Sequence, residues 1–292
     1  MISDDLTEEI WHRLLRDRRL DDLPLARHEG RLDLRRLRPP QRAVPIEIRA
    51  THWRDLDLSG AVLEELRVFR TNFVNCRFDE CRLPGPRAWS SSFVDCTFIG
   101  ANLRECMLGG VDKGRRTAYQ RVDFSKADMR STIYEAAAFE GCAFRSTKLA
   151  GTDFQSSTFK DCVFEGEIRN VLFYRHGFKG ERFPPNEMIN VDFRRARLHD
   201  VAFRGLAMDQ VMFPEDDDHV VIDDYPAVLE RIVAILLGQG DQTARSLVYS
   251  LEIDHQWLVP GARRAINLRD LHEDGGRELV DRFVEVLGRA VR

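Results

Sequence analysis

Six cysteines and eight scattered histidines are the side chains of this 292-residue chain that could ligate a metal or attack a substrate. No two cysteines stand in a CxxC pair, and no histidines fall at a metal-ligand spacing, so no metal is expected. Gly109 to Gly114 has the glycine spacing of a phosphate-binding loop, but Arg115-Arg116 replaces the Lys-Ser/Thr that would hold phosphate and magnesium. HExxH, G-x-S-x-G and dinucleotide fingerprints are missing, which predicts no cofactor and no catalytic constellation. Two clusters remain as candidate partner contacts. One is Arg115, Arg116 and Tyr119, within a glycine-rich basic stretch over 109–121. The other is Tyr174, Arg175 and His176.

Whatever positions these residues repeats every five. Large apolar residues recur at Leu58, Leu63, Val68, Phe73, Phe78 and Leu83, then Phe93, Phe98, Leu103 and Leu108. The series resumes from Phe124 through Phe164, and again from Phe173 through Phe178, Phe183 and Met188 to Phe213. Five residues advance an α-helix by roughly 500°, which makes no stripe, and on a flat strand an odd period alternates faces. Only a backbone that turns a corner every five residues keeps all of them inward. Four corners close a coil whose turns stack as parallel strands about 4.8 Å apart.

Two residues before each large one stands a small one, as in Ala61, Thr71, Cys76, Cys81, Ser91 and Cys96. Residues two apart on a strand share a face, so each side buries one large and one small group. All six cysteines (76, 81, 96, 106, 142 and 162) occupy this small position. Stacked side chains there point the same way, a poor disulfide geometry, so free packed thiols are expected.

Ala101-Asn102-Leu103-Arg104-Glu105 and Ala127-Asp128-Met129-Arg130-Ser131 resemble the pentapeptide-repeat family pattern of Ala-Asp/Asn-Leu and two variable residues. The resemblance implies a mainly β fold, a right-handed quadrilateral parallel β-helix, over somewhat more than half the chain. It implies a non-enzymatic protein-interaction scaffold, with a C-terminal homodimer as the expected assembly. Some members of the family protect DNA gyrase and topoisomerase IV from quinolones and other poisons, several by imitating DNA. That makes topoisomerase protection the alternative function.

The boundaries expected are 1–50 for an N-terminal capping helix and degenerate first coil, 51–213 for the β-helix, and 214–292 for a small α-helical domain. Ser3 or Asp4 caps a helix carrying Leu6, Ile10, Trp11, Leu14 and Leu15; Leu32-Asp33-Leu34-Arg35-Arg36 reads as a degenerate repeat. Pro84-Gly85-Pro86 reads as a bent corner, and the coils between Glu165 and Met188 are expected to bulge outward. Glu215 to Asp218 reads as an acidic linker. Helices are expected at about 226–237, 242–253 and 276–290, with Gly238 as a stop and Asp241 as an N-cap.

No apolar run approaches a membrane span and no secretory signal is visible, so a cytoplasmic protein is expected, and the heavy use of arginine over lysine suggests a GC-rich bacterial genome. The segment 51–213 holds 24 basic and 22 acidic residues, which argues against DNA mimicry along the whole coil. Topoisomerase contact would then fall to a protruding 109–121 loop. Binding of nucleic acid itself is the weaker third reading, because no strongly basic patch with stacking aromatics is visible in the sequence.

Overall fold

A computed structural model describes residues 3–39, 45–63, 66–83, 85–177, 183–253 and 255–291. The five-residue period has a backbone cause. Asp55, Asn75, Asp95 and Arg121 sit at φ 54°, 54°, 54° and 51°, and Gly60, Gly100, Gly141 and Gly166 also have positive φ. A left-handed residue costs an L-amino acid roughly 1–2 kcal/mol, so each corner needs support. The stack supplies it: the amides of Asp55, Asn75 and Asp95 donate to the carbonyls of Val74, Val94 and Gln120 one turn on, at 3.1, 2.9 and 3.0 Å.

Parallel pairing runs in four columns, mostly at a step of twenty residues. One joins Ile48, Val68 and Ala88; a second joins Trp53, Phe73, Phe93, Tyr119, Phe139 and Phe159. The third and fourth run through Asp57, Arg77, Thr97 and Asp123, and through Val62, Arg82, Asn102 and Asp128. Leu32 and Asp33 pair in parallel with Leu56 and Asp57, so the 32–36 stretch does join the stack. The steps lengthen at the expected breaks: Phe93 pairs with Tyr119, and Val163 with Asp192.

Inside, the large residues form ring stacks along the axis. Phe73–Phe93, Phe93–Tyr119, Tyr119–Phe139 and Phe139–Phe159 have centroids 4.6, 5.0, 4.9 and 4.9 Å apart. The small position has a second role. The thiols of Cys76, Cys81, Cys106 and Cys142 donate to the carbonyls of Trp53, Leu58, Leu83 and Tyr119, each 23 residues back. The hydroxyls of Thr147, Thr152 and Ser157 do the same to Phe124, Met129 and Tyr134 at 2.8, 2.9 and 2.7 Å. A short side chain with a donor therefore finds a buried backbone acceptor on the preceding turn, in some cases a carbonyl that already takes an amide, as Leu58, Phe124 and Met129 do. All six cysteines are free and buried, and burial pushes the Cys81 thiol up to about 12.

Helix α1, Asp4–Leu14, is capped by Ser3 and lays Ile10, Trp11 and Leu14 on the start of the coil interior. Trp11 packs 6.2 Å from Trp53, whose indole donates to the Leu14 carbonyl. At the far end a second apolar cluster is built by α2, Tyr225–Gln239, α3, Gln242–Glu252, and α4, Leu268–Ala290. Asp241 caps α3 as expected, accepting from Ala244 N at 2.8 Å. The stop of α2 is Gly240 at φ 70°, not Gly238. α4 begins eight residues before the expected 276, because Gly275 and Gly276 kink it and hide its first turns from a periodicity reading. The acidic stretch is not a solvated linker throughout: Asp216 accepts from the His219 ring at 2.7 Å, and His219–Ile222 pairs antiparallel with Arg264–Asn267.

From Val163 to Tyr174 the chain is one extended strand with a register irregularity at 163–165. Ile168 and Val171 are buried there, so this side stays in the coil one residue short, and the residues in excess of a twenty-residue step are added after Phe173, where Lys160 pairs with Ile189 across 29 residues. Pro84 and Phe178 lie outside the described residues; Gly85 turns its corner at φ 68°. No described helix is long and apolar enough to cross a membrane.

Candidate interaction surface

The stretch 109–121 is not a single loop. Val111–Asp112 and Arg115–Arg116 form a small antiparallel hairpin, and Ala118–Gln120 is already a strand of the coil. Tyr119 is fully buried in the ring stack, its hydroxyl donating to the Leu108 carbonyl at 2.6 Å. Arg116 turns back, donating to the carbonyls of Ala136, Ala137 and Ser156 at 2.7, 2.6 and 3.1 Å. Tyr119 is thus inaccessible, and the guanidinium of the half-buried Arg116 is already used by the coil. What the hairpin exposes is Lys113, Gly114 and Arg115. Six residues, 111–116, are the whole excess over a twenty-residue step between Phe93 and Tyr119. A deletion that reached residue 119 would remove a core ring.

The hairpin is held down. Ser90 Oγ accepts from Asp112 N at 2.6 Å and donates to the Arg115 carbonyl at 2.7 Å, and Arg70 pairs with Asp112 at 2.6 Å. Gly110, at φ 144°, lies so close to the Trp89 ring that a Cβ there would collide with it. Trp89 belongs to an outward row that the sequence reading overlooked. Its ring stacks on Phe69 at 4.7 Å and 9°, and the Arg49 guanidinium covers the other face of Phe69 at 4.0 Å. Beside it runs the row Glu47, Arg67, Arg87, joined by the parallel pairing of successive turns. The signal was present: outward aromatics at 69 and 89 are one turn apart once the coil length is known.

Tyr174, Arg175 and His176 are not a surface cluster. Tyr174 is buried, edge-on to Trp257 at 6.4 Å, and Arg204 donates to its hydroxyl at 3.1 Å. Arg175 pairs with Glu187 at 2.9 Å, and His176 Nδ1 is buried with no partner among the described residues. These residues belong to the seam between coil and C-terminal helices.

Along that seam, Arg264 donates to the carbonyls of Phe203 and Leu206 at 2.6 and 3.1 Å, and the Asn267 amide donates to that of Leu198. The Leu198 amide donates to His219 Nε2 at 3.1 Å, and Asp270 accepts from the His199 ring and the Asp200 amide at 3.2 and 3.0 Å. Burial pushes the Asp270 carboxyl up, against the lowering effect of the Asp200 amide. A cleft of about 800 Å³ opens beside the seam, bordered by Asp200–Arg204 and by Tyr249 and Ile253 of α3. Two of its carboxylates are already engaged, Asp270 as above and Asp274 with Ser250 at 2.8 Å. No cluster of three or more metal-ligating side chains occurs among the described residues.

The stacked turns, with outward side chains in register, define a repeat solenoid of parallel strands. Residues 123–166 match the family model of pentapeptide repeats, in eight copies, so the resemblance read from the sequence stands. No curated protein matches the chain. Solved structures similar to it include HetL, a pentapeptide repeat protein involved in heterocyst differentiation regulation from the cyanobacterium Nostoc sp. strain PCC 7120. It is 17% identical, with 63% of this chain and 81% of that one covered and a TM-score of 0.30. Full-length QnrB1, a plasmid-mediated fluoroquinolone resistance protein, is 19% identical over 54% and 84%, with a TM-score of 0.18. Rfr23 from the cyanobacterium Cyanothece 51142 is 10% identical over 49% and 90%, with a TM-score of 0.19.

Proposed function

We propose that the protein is a non-enzymatic, cytoplasmic protein-interaction scaffold: a right-handed four-sided coil closed by α1 at one end and by the C-terminal helical domain at the other. The observation that carries this is the outward strip of Arg49, Arg67, Phe69, Arg87 and Trp89, bounded by a tethered hairpin. Trp and Arg on a preorganised surface are the side chains that anchor protein interfaces, and a rigid coil holds them without an ordering cost. The engaged hydrogen bonds of the seam support its reading as a closure of the coil end rather than a reaction site.

The test is site-specific photocrosslinking in cells, with the crosslinker at Arg87, at Lys113 and, on another column, at Lys126. A defined protein adduct from the first two and none from 126 is the expected result. Identical or absent adducts at all three sites sink the scaffold reading. Topoisomerase protection now rests on the tip alone, so deleting 111–116 must abolish protection of gyrase from a quinolone if that alternative holds. The proposed homodimer would use exposed aliphatics such as Leu237, Val284 and Val291. Light scattering that returns the 33.8 kDa monomer mass would reject it.

A further inference from the structure

We infer that the strip beside the hairpin docks an acidic segment of a partner polypeptide, which rests on the scaffold reading and names the chemistry of its partner. The rows show which charges are already used. Glu47 takes Arg49 at 2.9 Å and Arg67 at 3.7 Å. Arg87 follows Arg67 one turn on, and the next residue in that row is Met107, which brings no carboxylate. Arg70 takes Asp112, while Lys113 and Arg115 at the hairpin tip pair with no carboxylate among the described residues. The strip therefore satisfies its own acids and leaves three cations at one end, in a chain whose net charge is −4.

The rings decide between two kinds of acidic partner. Single-stranded nucleic acid binds by stacking bases on open aromatic faces. Here one face of Phe69 lies under Arg49 and the other against Trp89, and Gly110 closes on the Trp89 ring. What is offered outward is ring edge, which packs apolar side chains and stacks no base. Unpaired guanidinium groups beside apolar edges fit carboxylates interspersed with aliphatic side chains, the carboxylates held by charge-assisted hydrogen bonds.

The experiment is fluorescence anisotropy of the full chain with three probes: a short peptide of alternating Glu and Leu, its Gln-for-Glu counterpart, and oligodeoxythymidine. The Glu peptide is expected to bind with an affinity that falls as salt rises. Arg87→Glu and deletion of 111–116 should each weaken it by about tenfold or more. Arg195→Glu, a highly exposed site on another column, should leave it unchanged. Trp89→Ala should weaken it too, and Arg87→Glu keeps the test decisive should that variant fold poorly. Equal binding of the Gln peptide, tighter binding of oligodeoxythymidine, no binding of the Glu peptide, or indifference to Arg87→Glu overturns the inference. If the crosslinks at 87 and 113 still capture a protein in that case, the scaffold reading survives and only the acidic partner falls.

Discussion

Tyr134 is fully buried in the ring stack, between Phe154 at 5.2 Å and the edges of Tyr119 and Phe139, and its hydroxyl has no hydrogen-bond partner among the described residues. Tyr119, also fully buried, differs in one respect: its hydroxyl reaches the Leu108 carbonyl. A stranded buried hydroxyl costs about 1–3 kcal/mol in lost hydration. Removing it as Tyr134→Phe leaves a void on the order of 10–15 Å³, which at about 24 cal/mol per Å³ takes back roughly 0.3 kcal/mol. The net expectation is a gain of about 1–2 kcal/mol. Tyr119→Phe is the matched control and should lose about 1 kcal/mol, because it breaks a bond and strands a carbonyl. Urea unfolding followed by far-ultraviolet circular dichroism reads both, with the slopes compared because stacked repeats need not unfold in one step. A destabilised Tyr134→Phe, or equal effects of the two variants, would show that the hydroxyl has a partner and refute the reasoning.

Phe144→Ala, within the stack of Phe124, Phe144 and Phe164, should cost about 3–5 kcal/mol by the same assay, since neighbouring turns cannot collapse into the space. The six thiols should react slowly with a thiol reagent in the native state and all titrate after unfolding without reductant; fewer than six would contradict their free, buried state. Burial raises the Asp153 carboxyl above its usual 3.8, against a hydrogen bond from Gln155. The fold therefore disfavours that charge once pH exceeds the raised value and is indifferent to it below 3.8. Asp153→Asn should accordingly gain on the parent protein as pH rises from about 4 to 7, and a flat difference would refute the assignment. Asn267→Ala should cost about 1–3 kcal/mol and speed amide exchange around Leu198, where its amide meets the coil's last carbonyls.

The inward half of the coil was legible because its constraint is local. A left-handed corner every fifth residue leaves a period that apolar residues must follow, and the inward positions from Phe73 to Leu108 follow it without error. Tyr119 stands five residues before Phe124 and was legible too, but the glycines before it suggested a loop that continued past its true end. The one-residue shortening between Phe164 and Ile168 broke the count in the same way. The preference for Cys, Ser and Thr beyond mere smallness was not legible, because the carbonyl most of them serve lies 23 or 29 residues back. Nor was the pairing of His219–Ile222 with Arg264–Asn267, two four-residue strands whose sequence distance carries no periodic signal.

The corner explains why such a coil records function on its outside. Inward positions are fixed by the interior: a ring or aliphatic at one, a small donor at the other, repeated without regard to any partner. Outward positions carry no such demand, so a run of like choices at one row of successive turns calls for its own cause. Most outward rows mix signs, as where Lys160 meets Glu140 and Arg121 meets Asp95. The rows through Arg49, Phe69 and Trp89 and through Glu47, Arg67 and Arg87 hold a single acid, Glu47, which Arg49 and Arg67 already take, and the six-residue hairpin is inserted at their end and anchored through Ser90 and Arg70. An insertion tolerated only for being harmless needs no anchors. Two hydrogen bonds from one buried serine, an ion pair and a glycine seated against a tryptophan hold this one in place, consistent with a tip whose position matters.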